Sequence, residues 1–329
     1  MNAILKKNAS FGLKKFPVSI WNYTNLAEHG QWMTEAEMES LAEAGITVPH
    51  APGLDPTDKA QKKQMLQLLD WAAERDMKLI PWDPRCMARV GADGKPVPDY
   101  ADGVRAAVAD FGSHPGLFGF YVCDEPGGQV KDGTFACQRM QKEIAPHLFP
   151  FLNHLPHFPG FETGMGHATW GDFLDEYVAK SNADFLCYDC YAQMLISGAD
   201  LDSYYRNLRF YREASQRNGI PFWNTVMSVG HMAYRCPTLD DVRWQFNTSV
   251  ASGAHGVSWF FWYMKQPQCN YRLSPVDEYW EKTQGYYDIR RVQKAFHRQY
   301  GDLFNRLAST RVTFFSRTYG GGEAWTPNE

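Results

Sequence analysis

Leu117-Phe118-Gly119-Phe120-Tyr121-Val122-Cys123-Asp124-Glu125-Pro126 is the stretch on which the fold turns. It begins as a continuous apolar run, the pattern of a strand buried on both faces. It ends in two adjacent carboxylates, Asp124 and Glu125. Pro126-Gly127-Gly128 then stops the strand and opens a loop. A core strand that carries acids to its C-terminal tip is how α/β barrels place polar chemistry. The same letters also fit a strand ending in a solvated acidic turn, so the rest of the chain has to decide.

Outward from that stretch, the pattern repeats in both directions. Towards the N-terminus, strands are expected at Phe16–Tyr23, at Ile46–Pro49 with His50 at its tip, and at Met77–Trp82 leading to Asp83-Pro84-Arg85. Between them, Thr34 opens a helix that Gly45 closes. Asp58 caps a second helix, 59–75, with one apolar face, and a third runs near 100–111. Towards the C-terminus, strands are expected at Leu148–Leu152, Asp184–Tyr188, Pro221–Met227 and Val257–Tyr263. Helices are expected near 133–144, 170–180, 201–217, 239–252 and 287–307. The long Pro/Gly/His-rich loop 156–167 is of the kind that usually carries function.

Eight strands alternating with eight helices predict a (β/α)8 TIM barrel in residues 1–310. A doubly wound open sheet would carry a Gly-rich phosphate turn after its first strand, and none is present. Residues 311–329 read as a C-terminal strand and tail, the start of a further region.

Composition narrows the class. The chain has 329 residues, 44% hydrophobic and 21% charged, enough for one large core. A net charge of −4 without a long basic run excludes nucleic acid as the expected partner. No stretch is apolar enough for a membrane span, and the N-terminus lacks the apolar core of a secretory signal. Seven irregularly spaced cysteines argue against a disulfide framework and for a reducing, cytoplasmic compartment. Cys187 and Cys190 have CxxC spacing but lie in an expected strand without a second pair, a weak metal or redox signal.

A barrel builds its site where the strand C-termini converge. The tips offer Trp21 and Asn22, His50, Asp83 with Arg85, Asp124 with Glu125, Asn153 with His154, Asp189 with Tyr191, Asn224 with His231, and Trp262 with Tyr263. Aromatics are frequent, at 15%. Trp and Tyr rings suit a pyranose, which presents C–H groups to a ring face and hydroxyls to polar side chains.

In layout and in three motifs the chain resembles the TIM-barrel glycoside hydrolases that include β-galactosidases and cellulases. The motifs are Gly119-Phe-Tyr-Val-Cys-Asp-Glu-Pro126 after Ser113-His-Pro-Gly116, Phe185-Leu-Cys-Tyr-Asp-Cys-Tyr191, and the aromatic eighth strand. The resemblance implies a carbohydrate substrate, no cofactor, and Glu125 as the acid/base, with Asp124 where Asn is usual. It also implies a nucleophilic Glu at the end of strand seven, but Pro221–Met232 contains no acid. The second carboxylate is then expected to be Asp189, or Asp124 with help from a substrate acetamido group, or Asp83. Trp21, Asn22, His50, Arg85, Asn153, His154, Tyr191, His231 and Trp262 are the candidate substrate contacts.

Two other classes compete. A metal-dependent barrel isomerase or hydrolase would draw ligands from His50, Asp83, Glu125, His154, Asp189 and His231. A sugar-binding barrel without catalysis would explain the missing acid on strand seven. The sequence does not set the oligomeric state.

Overall fold

The computed structural model describes residues 2–264 and 270–327; Cys269 lies outside them. Eight short strands are present: β1 (Val18–Ile20), β2 (His50–Gly53), β3 (Ile80–Trp82), β4 (Tyr121–Asp124), β5 (Phe151–Asn153), β6 (Leu186–Asp189), β7 (Phe222–Met227) and β8 (Gly256–Phe260). β6, β7, β8 and β1 pair in parallel, as do β2 with β3 and β4 with β5. Backbone hydrogen bonds join these pieces. Val48 N–H donates to Val18 C=O, Phe118 N–H to Leu79 C=O, and His154 N–H to Cys187 C=O. The ring is closed, so no strand edge is left unpaired. The protein is a (β/α)8 barrel.

The helices stand where apolar periodicity placed them: Glu35–Glu43, Lys59–Glu74, Tyr100–Phe111, Lys131–Ile144, Trp170–Ser181, Leu201–Asn218, Leu239–Ala251 and Gln284–Phe304. Their starts are chemically marked. Asp58 accepts from the Ala60 and Gln61 N–H groups, and Thr238 with Asp241 forms a capping box. Most strands are shorter than the apolar runs predict, and β2 lies wholly beyond its expected span of Ile46–Pro49, so that His50 opens the strand instead of tipping it. A run registers burial, whereas pairing lasts only while neighbouring strands keep register.

Close approach of the chain to itself fixes one residue in the decisive stretch. A Cβ at Gly119 would lie 2.1 Å from the Phe149 carbonyl oxygen in the segment leading into β5, so only glycine fits there.

The floor of the barrel holds an element the sequence reading missed. Helix Ala3–Ser10 delivers Phe11, fully buried, into the N-terminal end of the barrel. The Phe11 ring packs edge-on against Phe118, Phe149, Phe185 and Trp223. Lys7 is tied to the buried Asp184, which also holds Lys142. Phe11 is therefore a plug. Phe11→Ala is expected to cost about 3–5 kcal/mol of stability, read as a lower urea midpoint with an unchanged slope. Loss of under about 1 kcal/mol would mean the end closes without it.

Above the plug, the barrel interior carries a second aromatic layer of Trp21, Trp82, Tyr121 and Phe151. The Trp82 and Tyr121 rings stack at 4.1 Å, and Trp21 stands edge-on to both. This layer is the floor on which the site rests. After residue 310, strands Thr313–Phe314 and Glu323–Ala324 pair in parallel, with Phe314 packed edge-on against Tyr205.

Candidate active site

β4 is irregular where it matters. Tyr121 pairs with Phe151, but Cys123, two residues on, pairs with the very next residue, Leu152. Glu125 then adopts φ +47°, the left-handed region that a non-glycine residue rarely enters. On a regular strand, adjacent side chains point to opposite faces. The shift and the turn at Glu125 let Asp124 and Glu125 line the same cavity.

That cavity, about 160 Å³, sits at the C-terminal ends of the strands. Asp124, Glu125 and Asp189 provide its acids, and Asn153 and Thr225 its neutral polar groups. Trp21, Tyr23, Tyr191, His231 and Phe260 complete the wall. Asn153 organises the acids: its Nδ2 donates to Asp189 Oδ1 at 2.7 Å and to Asp124 Oδ1 at 3.1 Å. Its Oδ1 accepts from Thr225 Oγ1 at 3.4 Å, which fixes which way the amide faces.

The electrostatics follow from three acids around one cavity: Asp189 is enclosed, whereas Asp124 and Glu125 are exposed at the strand end, with surrounding protein crowding their carboxyls. Asp189 is 8% exposed. Burial, then the charges of Glu125 and Asp124, raise its pKa well above the ordinary carboxylate range. Interaction with the neighbouring Glu125 carboxyl adds to the rise at Asp189 and partly offsets the rise at Glu125. Asp124 is pushed up to about 7, first by burial and then by the Glu125 charge. Burial also raises Glu125. The cluster therefore keeps its protons to higher pH than three separate carboxylates would.

The remaining candidates divide clearly. Trp21, Asn153, Tyr191 and His231 line the cavity with the three acids. His231 is 8% exposed, and neither ring nitrogen has a hydrogen-bond partner among the described residues. Burial lowers its pKa, as does Arg272, so the ring is neutral.

The structure does not bring the others to the cavity. Asn22 turns inward, donating to the His50 carbonyl and accepting from Thr24 N–H. His50 Nδ1 accepts from Trp82 Nε1 at 3.0 Å, and burial lowers its pKa to about 3. His154 is likewise lowered to about 3 by burial, with its ring packed edge-on to Tyr177. Asp83 is fully buried and gripped by Arg85, whose third side-chain nitrogen, Nη1, reaches Asp110 at 2.7 Å. That triad ties the tip of β3 to helix Tyr100–Phe111. Trp262 is fully buried against Tyr286, on the helix side.

No group of three His, Cys, Asp or Glu among the described residues is placed to hold a metal ion. Cys187 and Cys190 are both buried free thiols. No helix among the described residues is long and apolar enough to cross a membrane.

Three lining residues were not singled out from the sequence. Thr225 pairs in register with Asp189, so aligning the tips of β6 and β7 would have found it. Tyr23 stands at the end of the first predicted strand. Phe260 is hidden in an aromatic run, where nothing separates inward from outward rings.

No family model matches the sequence, and no curated protein matches it. Solved structures do match in fold. A β-galactosidase from the psychrophilic Marinomonas ef1 superposes with a TM-score of 0.64 at 11% identity, over 84% of this chain and 59% of that one. The β-galactosidase of Rahnella sp. R3 gives 0.64 at 13%, over 86% and 56%. Saccharomyces cerevisiae Gas2p, solved with laminaritetraose and laminaripentaose, gives 0.59 at 12%, over 88% and 64%. This chain spans less than two thirds of each.

Proposed function

We propose that the protein is a glycoside hydrolase in which Glu125 protonates the glycosidic oxygen and Asp124 is the second working carboxylate. The observation that carries this reading is the irregular end of β4, which turns two adjacent acids into one cavity. The aromatic and polar lining suits a pyranose, and the fold is shared with sugar-active enzymes.

Glycosidic cleavage needs one protonated acid and one ionised carboxylate. Asp124 and Glu125 supply both, because the negative charge of either favours the proton on the other. Asp189 fits a different role from the nucleophile expected of it. Asp189 is buried and held by Asn153 Nδ2 at 2.7 Å, and its raised pKa favours the protonated form, which is not a nucleophile. Its role is to tune Glu125, whose rise it partly offsets. β7, buried throughout, brings no acid to the opposite wall.

With both working acids on one strand end, the attacking group is the substrate's own 2-acetamido oxygen, held by Asp124. The Glu125 proton goes to the leaving oxygen as the C1–O bond breaks. Water, losing a proton to Glu125, then opens the cyclic intermediate. His231, neutral and with both ring nitrogens unpartnered among the described residues, is placed to bind a sugar hydroxyl.

Paired nitrophenyl glycosides test this, each sugar offered with a 2-hydroxyl and with a 2-acetamido group. The expected result is turnover of the 2-acetamido member of one pair at least 10²-fold faster than its partner. Equal turnover of both members would remove substrate assistance, and silence on every pair would remove the hydrolase reading.

A further inference from the structure

The acid-lined cavity is small. Its 160 Å³ equals about five water volumes, the size class of one pyranose and below the ~300–1,000 Å³ of sites that enclose larger ligands. It meets a second space of about 1050 Å³, and Tyr23 lines both.

The larger cleft lies to one side of the barrel mouth. Its lining comes from the segments after β1, β7 and β8, and none of it from those after β2 to β6. One wall is a stack of three rings drawn from two distant segments. Trp280 is packed between Tyr263 at 4.7 Å and Trp32 at 5.0 Å, where the rings are nearly parallel at 13°. With its inner face on Trp280, Trp32 is still 39% exposed. Polar groups accompany the rings. Asn25 is bonded to Glu28, and Arg272 donates to the Tyr234 and Asn270 carbonyls. Ring faces beside donors and acceptors match the C–H faces and hydroxyls of consecutive sugars better than they match an apolar aglycone.

An enzyme that cuts within a chain needs room for several sugars on both sides of its acids. Here one side has room for about one ring, and the other has more than six times that volume. We infer that the protein works from chain ends: one terminal sugar fills the acid-lined cavity, and the following units of the same carbohydrate lie in the cleft across Trp32. This rests on the hydrolase reading above and adds where the cut falls and what the leaving portion is.

The test uses reducing-end-labelled β-linked gluco-, galacto- and N-acetylglucosamine oligosaccharides, from disaccharide to hexasaccharide, with the intact protein. The expected products are a monosaccharide and a labelled chain shorter by one unit, with KM falling as the chain lengthens. Trp32→Ala is expected to lower the ratio of kcat/KM on the hexasaccharide to that on the disaccharide by about tenfold. Trp32 ends a short surface 3-10 turn, Gly30–Trp32, and taking a ratio cancels any general loss of folded protein. Labelled products of mixed length, arising by internal cuts, would overturn the inference and leave the hydrolase reading standing. So would a ratio that Trp32→Ala leaves unmoved. No cleavage of any chain, with none of the aryl glycosides either, would bring down both.

Discussion

Glu125→Gln will lose about 10²–10⁴ of kcat on substrates with a poor leaving group, the range that a positioned general acid contributes. Gln keeps the shape of the side chain and the left-handed turn at 125, but carries no proton to give. The loss will shrink on dinitrophenyl glycosides, whose leaving oxygen departs without protonation. A residue that merely shaped the cavity would slow both substrates alike. The pH profile separates the roles further. Burial raises the Glu125 pKa, so the wild type keeps its acid protonated above the usual carboxylate range and loses rate only as pH rises through the raised value. The variant has no such alkaline limb. Stopped assays of both proteins across pH 4–9, on one slow and one activated substrate, check all of this. An alkaline limb that survives in Glu125→Gln would assign the proton to another group, with Asp124, raised to about 7, first in line.

The barrel was legible because the same local grammar recurs eight times: an apolar run, a polar tip, an amphipathic helix, a turn. The acids of the site were legible for a related reason, since Asp124, Glu125 and Asp189 interrupt runs that are otherwise apolar. What the letters at a tip do not say is which way each side chain turns. Asp83 and Arg85 look like site residues until Asp110, 25 positions beyond Arg85, is seen to complete their triad. His50 and His154 look like ligands until the surrounding rings are seen to bury them, and burial holds both neutral. Trp262 and Trp21 are equally aromatic, yet alternation sends one to the helices and the other to the cavity floor. The N-terminal plug was hidden for a different reason. Helix Ala3–Ser10 is only 8 residues long, and the five-ring cluster that Phe11 completes comes from β4, β5, β6 and β7 or the residues just before them.

The raised pKa of Asp189 has a consequence for stability. In the unfolded chain Asp189 titrates near 3.9. In the fold, burial and two neighbouring acids raise it well above that. Between those two values the native state holds a proton that the unfolded state has released. Stability then falls as pH rises, by about 1.4 kcal/mol per pH unit for each proton so held. Asp189→Asn removes this term while keeping the net charge and outline of the protonated acid. Its Oδ1 can still accept from Asn153 Nδ2, as Asp189 Oδ1 does at 2.7 Å. The variant is therefore expected to match the wild type near pH 4 and to become progressively more stable than it towards neutral pH. Urea unfolding at several pH values measures the gap. A gap that does not grow with pH, or a variant weaker throughout, would mean that Asp189 is ionised in the native state. The added stability should come with a catalytic loss of a particular kind. The wild-type carboxyl can donate to Glu125 or accept from it, whereas the amide NH2 can only donate and so favours the ionised form of Glu125. The alkaline limb of the rate profile should move to lower pH in Asp189→Asn. An acid cluster kept protonated against its own tendency to ionise weakens the fold at the pH where a proton donor is most needed.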